Sequence, residues 1–340
     1  MIFFPIYGKI KSNSSEVRRL DALINFDSAE VKATIKILLQ DKSTKQNIIW
    51  ATDTYSNYGL YFEDTAQITD ELVSGAYSRL IQPRVYKALE AQSSRTRKHA
   101  EVFTPSWICN RMNNYCDEEW FGCKDVFNRQ DGESRVTNRE RIEFPEGKTW
   151  KDYVDSRRLE ITCGEAPYIV SRYDTTTGDM IPTEDRIGIL DRKLRVINEN
   201  VTDDAEWIKW VYRAFQSVYG YEYQGDNVLI ARINLLMTFV DYYTERYKKA
   251  PESQELKKIA NIIAWNIWQM DGLKGTVPLG KPREEVQQLS WFGDVGNSFS
   301  ESDIPLFEQT VSADEGTECI IYDWRSDRSI KYSDLKKGRK

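Results

Sequence analysis

Residues 159–168, LEITCGEAPY, decide how the rest of the chain is read. An acidic residue, Glu160, stands two places after the Arg157-Arg158 pair and opens a short apolar run. The run stops at Cys163-Gly164, and Pro167 and Tyr168 follow at once. The spacing predicts a strand, a glycine turn and then a helix. Glycine at such a turn lets another group come close beneath the backbone.

Working outward, the same alternation recurs. ANIIAWN (260–266) and ECIIYD (318–323) are continuous apolar runs of the kind that form strands of a parallel sheet buried on both faces. Between them lie helical patterns. Thr104 is a good N-cap with Pro105 at the first helical position, and Ile108, Met112 and Tyr115 form an apolar stripe. A second helix starts at Asp204 and places Trp207, Trp210, Val211, Ala214, Phe215 and Val218 on one face. YGYEYQGDN (219–227) reads as a short strand, a turn and a cap at Asp226, and a long helix over about 227–248 ends before Pro251. Alternating helices and buried strands predict an α/β fold with a doubly wound, mostly parallel sheet over residues 95–340. Polar stretches at about 121–157, 173–188 and 274–317 read as insertions. Residues 1–94 read as a smaller mixed or helical region. It has a helix capped by Ser14-Ser15 through about Ile24, a strand at 47–52 and helical spacing over 68–81, with the boundary in QSSRTRKHA (92–100).

The composition sets limits on function. With 340 residues, 40% hydrophobic and 29% charged, the chain has enough apolar surface for a sizeable core and is not of the disordered class. No apolar run approaches the roughly 20 residues of a membrane span, and MIFFPIYGKI lacks the basic and apolar regions of a signal peptide. Cysteines at 109, 116, 123, 163 and 319, an odd number, suit a reducing cytoplasm. The seven-residue spacing of Cys109, Cys116 and Cys123 fits one packed helix face. With His99 as the only histidine and no CxxC pair, no structural metal is expected. The net charge is −6, yet Arg79–His99 is basic, and the last sixteen residues carry seven basic and two acidic side chains. Two local basic segments on an acidic protein fit phosphate contact at defined places.

Four features then fall in order: HAEVFTP (99–105), LEITCGEAPYI (159–169), YGYEYQGDNVLIARINL (219–235) and NIIAWNIWQMDGL (261–273). The helix N-terminus at Thr104-Pro105 can receive a carboxylate. Glu160 can pair with an amino group. Cys163-Gly164 lets a ligand lie over the end of the central strand, where Glu222 at the next strand end can accept two ribose hydroxyls. Asn266 at a third strand end can read an adenine edge, with Ile267 against the ring. Carboxylate, amine, ribose and adenine together are S-adenosylmethionine.

These segments, in this order over roughly residues 95–273, resemble the N6-adenine DNA methyltransferases of restriction–modification systems, whose cofactor motifs precede the target-recognition region. The resemblance implies a Rossmann-like S-adenosylmethionine methyltransferase sheet. Its cofactor pocket would be lined by Phe103, Thr104, Pro105, Glu160, Thr162, Cys163, Gly164, Tyr168, Glu222, Asn266 and Ile267. It also implies methyl transfer to a flipped adenine in double-stranded DNA, with Arg95, Arg97, Lys98, Lys336 and Lys337 as DNA contacts. The family's second glycine is Ala166 here, which a negative φ would accommodate, and the glycine before Asn266 is Trp265. The catalytic tetrapeptide Asn/Asp-Pro-Pro-Tyr/Phe occurs nowhere in the chain. YDWRSD (322–327) offers an acceptor, Asp323, and an aromatic, Trp324, but no proline pair. An incomplete sheet is therefore expected, with the catalytic and target-recognition parts in a second polypeptide or in a missing C-terminal part. The alternative is a non-catalytic subunit binding S-adenosylmethionine or DNA. A dinucleotide-binding oxidoreductase would need G-x-G-x-x-G, of which CGEAPY supplies one glycine. Residues 1–94 show no clear PD-(D/E)xK nuclease cluster.

Overall fold

The computed structural model describes residues 23–87, 104–279 and 316–337. The boundary expected near residue 94, most of the 274–317 insertion and the Ser14-Ser15 cap lie outside them. Helix α1 (Ala29–Leu39) starts where the Ser28 hydroxyl accepts the Val31 N–H, and it buries Val31, Thr34, Leu38 and Leu39. The strand expected at 47–52 is reduced to isolated bridges, Gln40 with Asn47 and Ile49 with Gln67. Side chains take the hydrogen bonds a ladder would use: the Asn47 and Ile49 N–H groups donate to the amide oxygens of Gln67 and Gln269. The helical spacing over 68–81 becomes short 3₁₀ turns at Glu71–Val73 and Gly75–Tyr77, split where Gly75 adopts φ 55°.

Helix α2 (Ser106–Phe121) ends at Gly122 in the left-handed region. Its expected apolar stripe does not pack inward, since Met112 and Tyr115 are 49% and 59% exposed. The buried side carries Asn110, Asn113 and Asp117 instead. Those polar groups can be buried because each finds partners. Asn113 donates to the carbonyls of Tyr168 and Ile187, and Asp117 accepts from Tyr153 and from the buried guanidinium of Arg192. Cys123 lies beyond the helix and is exposed, so the three cysteines share no packed face. The stretch 121–157 is structured: a hairpin of β1 (Asn128–Asp131) and β2 (Ser134–Thr137), then α3 (Trp150–Asp155) with a Thr149–Asp152 capping box.

Strand β3 (Arg158–Glu160) is followed by α4 (Ile189–Asn200), α5 (Asp204–Gln216), β4 (Val218–Glu222), α6 (Gly225–Tyr247), α7 (Ser253–Asn266) and β5 (Ile267–Gln269). The cap of α5 is Asp203 rather than Asp204, and Val218 belongs to β4. The three strands form a parallel sheet in the order β3-β4-β5, with Glu160 beside Gly220 and Glu222 beside Gln269. The run at 260–266 is helix, not strand. Leu256, Ile259, Ala260 and Ile263 recur at helical spacing and bury one face, and the strand begins only at Ile267. The run at 318–323 is not part of the parallel sheet either. There β6 (Ile320–Asp323) pairs antiparallel with β7 (Arg328–Lys331), which leads into α8 (Tyr332–Lys337).

The protein is thus α/β, built on a small parallel three-stranded sheet with helices. One face of the sheet carries Gly220 and Ile267 and packs on the main core, where Leu23, Trp50 and Ile68 join Trp207, Phe239 and Ile263. The other face carries Tyr221, Trp268 and Met270 and meets Cys319 and Ile321 of the hairpin segment. Among the described residues no helix is long and apolar enough to cross a membrane.

Candidate functional site

The carboxyl ends of β3 and β4 are joined by an unusual turn. Thr162, Gly164 and Ala166 all adopt positive φ, at 48°, 53° and 63°. Left-handed residues so close together cannot continue a helix, and the expected helix after Gly164 is replaced by turns. Ala166 therefore does not take the negative φ that would ease its methyl. The turn is held instead by local bonds. Cys163 N–H donates to the Tyr221 carbonyl across to β4, Ala166 N–H to the Cys163 carbonyl, and Ile169 and Val170 N–H to the Ala166 carbonyl. Cys163 is buried against Gly220, and burial pushes its thiol well above the usual range. Its side chain packs inside the turn.

Three carboxylates converge on this turn. Glu222 accepts the Gly164 N–H at 3.0 Å on one oxygen and the Gln224 N–H at 3.2 Å on the other. Glu160 accepts the Ile169 N–H at 3.2 Å. Burial drives the Glu160 carboxyl well above the ordinary carboxylate range and nearby Glu222 adds to this, while the Tyr168 and Ile169 N–H groups oppose it. Glu165 does not stand out in the sequence, yet it is buried and takes the Arg84 N–H and the Tyr173 hydroxyl, both at 2.6 Å. Its only sequence signal is its place inside CGEAPY. Beside Glu222, the amide oxygen of Gln224 is buried and has no hydrogen-bond partner among the described residues. A buried acceptor without a donor marks a place where a donor belongs.

The start of α2 comes to the same region, since Tyr168 bonds back to Thr104 and lies near Glu160 and Cys109. The helix N-terminus is not free for a ligand carboxylate, however. Asp174 caps it, taking the Ser106 N–H at 2.8 Å. Burial works against the charged form of Asp174, but the bonds from Ser106 and Thr176 hold its carboxyl down at about 2. Pro105 is the cap residue itself rather than the first helical one, and the Thr104 carbonyl accepts from Thr175.

Of the two residues expected from the third strand end, one lies elsewhere and the other is buried under the turn. Asn266 ends α7 at the amino end of β5, where its amide donates to the Phe215 and Val218 carbonyls and accepts from the Trp324 indole. Ile267 is fully buried against Gly220. Asn266 thus braces the amino end of β5, whereas Ile267 packs beside Cys163 of the turn, the Ile267 and Cys163 side chains both lying against Gly220. Because Glu222 pairs with Gln269, the residues that β5 sends to the carboxyl end are Met270 and Asp271. Asp271 accepts the Leu273 and Lys274 N–H groups, and its Asp-Gly turn was the available signal. Asp323 and Trp324 sit at the hairpin turn near Asn266, bonded to Arg157 and Asn266, and so are also remote from the turn at Gly164. Phe103, Arg95, Arg97 and Lys98 lie outside the described residues, as do the side chains of Lys336 and Lys337 in α8. No group of three or more metal-ligating side chains occurs among the described residues.

No protein-family model, curated protein or solved structure matches the chain.

Proposed function

We propose that this chain is the S-adenosylmethionine-binding polypeptide of a Rossmann-like DNA adenine-N6 methyltransferase. What supports the reading is one feature above the rest. Two buried acceptors, the Glu222 carboxylate and the partnerless Gln224 amide oxygen, stand at the end of β4 beside a left-handed turn at the end of β3. Ribose hydroxyls are the donors such a pair would take. In this reading Glu222 orients the ribose and Gly164 keeps the backbone low beneath the nucleoside. Tyr168 closes the side towards α2, and the Met270-Asp271 corner takes the place expected of Asn266. The bound cofactor would supply an electrophilic methyl sulfonium. The Asn/Asp-Pro-Pro-Tyr element that would hold a flipped adenine in double-stranded DNA is not among the 340 residues, and in this reading a second polypeptide or further C-terminal sequence contributes it.

The test is calorimetry with S-adenosylmethionine on wild type and Glu222→Gln. Loss of charge-assisted hydrogen bonds, each worth about 1.5–3 kcal/mol, should weaken binding about tenfold or more. Thermal unfolding of the same variant separates this from loosening of the Gly164 turn. Equal affinities, or binding of NAD with no response to S-adenosylmethionine, would overturn the proposal.

A further inference from the structure

Helices α5 and α7 carry a surface of a different kind. A groove of about 580 Å³ runs between α5 and α7. Its cations are Lys209, Arg213 and Lys258, its aromatic rings are Trp210 and Tyr212, and among the described residues no carboxylate lines it, the Glu255 carboxylate lying nearby at Tyr212. Lys209 and Lys258 are exposed, and neither forms an ion pair among the described residues. The Lys258 ammonium lies 4.0 Å from the centre of the Tyr212 ring. Trp210 stacks edge-on with Trp150 at 4.8 Å, and Lys151 lies over both rings.

The strip continues along the same face of α7, through Asn261 to Trp265, each three or four residues on from Lys258. Lys45 sits over the Trp265 ring at 5.1 Å, and Trp265 contacts Tyr322, which contacts Trp324. Asp155 is shared by Arg213 and Arg325, Glu206 pairs with Lys151 and Glu255 lies near Tyr212, which leaves Lys209 and Lys258 as the groove's cations without a paired carboxylate among the described residues. A chain with net charge −6 thus gathers cations and flat rings on one face, away from its candidate cofactor turn.

We propose that this face is a docking surface for single-stranded nucleic acid, with phosphates on Lys209, Arg213 and Lys258 and bases against Trp210 and Tyr212. Every base offers a flat face and every nucleotide a phosphate, so interleaved rings and cations suit a strand of any sequence. A duplex hides its base faces and would use only the cations. The inference is independent of the cofactor reading, because the groove shares no residue with the turn at Gly164.

The experiment measures fluorescence anisotropy of a labelled oligothymidylate titrated with the full chain at several salt concentrations. Wild type should bind with steep salt dependence. The double variant Lys209→Glu/Lys258→Glu, both exposed positions, should weaken binding about tenfold or more. It should also flatten the log–log salt slope by about 0.7 for each phosphate that is no longer neutralised. Lys36→Glu/Lys124→Glu imposes the same charge change on exposed lysines elsewhere and should bind as wild type does. Tyr212→Leu should weaken the oligonucleotide and leave duplex binding unchanged. Glu222→Gln should lose S-adenosylmethionine and keep the oligonucleotide, which separates failure of one proposal from failure of the other. No binding by wild type, equal loss in both double variants, or no effect of Tyr212→Leu would overturn the inference.

Discussion

Thr162 is the most strained residue of the candidate site. It is β-branched, exposed and held at φ 48°, a conformation that costs such a side chain more than about 1 kcal/mol. Among the described residues its hydroxyl bonds only to the Ile161 carbonyl, so its replacement disturbs no other described element. Thr162→Gly should therefore stabilise the protein by about 0.5–1 kcal/mol, the strain relieved less the extra freedom glycine gains when unfolded. Urea denaturation would show this as a higher midpoint at unchanged slope, and an unchanged or lower midpoint would count against strain at this position. Strain kept at a turn beside two buried acceptors is what a ligand-shaping turn would show. The placing of Glu160 and Glu222 at strand ends and of Gly164 in a turn was legible from residue type and spacing. The sign of φ at Thr162 and Ala166 was not, since neither residue type prefers it.

At the scale of elements, the loop after α1 is tied to α7 by one buried lysine. The Lys42 ammonium donates to the Gln40 amide at 2.5 Å and to Asn261 at 3.0 Å. Burial, with Arg232 and Lys45 nearby, pulls Lys42 down to about 8. An unfolded lysine titrates near 10.4, so between about pH 8 and 10 the unfolded chain holds more protons than the folded one. Stability contributed at this site is therefore complete above the unfolded value and is lost as pH falls through about 8. Lys42→Met should be more stable than wild type at pH 7, and the gap should narrow as pH rises towards 10. Parallel stability curves for the two proteins across that range would refute the assignment. The same pair of elements explains why ANIIAWN misleads. Its apolar run satisfies a buried strand and a buried helix equally, and only packing of Leu256, Ile259 and Ile263 on the core selects the helix.

Across the whole molecule, Arg232 of α6 joins the segment 23–87 to the sheet. Its fully buried guanidinium donates to the carbonyls of Leu38 and Gln40 at the end of α1, and to Ala264 and Ile267 at the end of α7 and start of β5. Carbonyls at helix ends have no partner within their own helix, and one cation placed between two such ends satisfies both. Arg232→Met keeps the length of the side chain but leaves those carbonyls buried without donors. It should cost at least about 3 kcal/mol, at about 1–3 kcal/mol for each group left unpaired. Calorimetric unfolding tests this, and a loss under about 1 kcal/mol would mean the two parts are held together by apolar packing alone.

What the sequence determined by itself is local. An acidic residue and a glycine closing an apolar run predict a strand and a tight turn, Glu222 falls at a strand end, and the long helix ends before Pro251 as its spacing requires. These follow from bonds made within a few residues. Tertiary structure decided the rest. Asn266 reads as a ligand contact because it ends an apolar run, yet the strand starts after it, and pairing of Glu222 with Gln269 sends Met270 and Asp271 to the carboxyl edge. Asp174 takes the helix end expected to be open at Thr104-Pro105, from 68 residues further along the chain than Ser106. Charge follows the same division, since the basic segments near residue 90 and at the end are visible as runs, whereas Lys209, Arg213 and Lys258 meet only because α5 packs beside α7. A partner distant in sequence leaves no mark in local composition, so only the folded chain could name it.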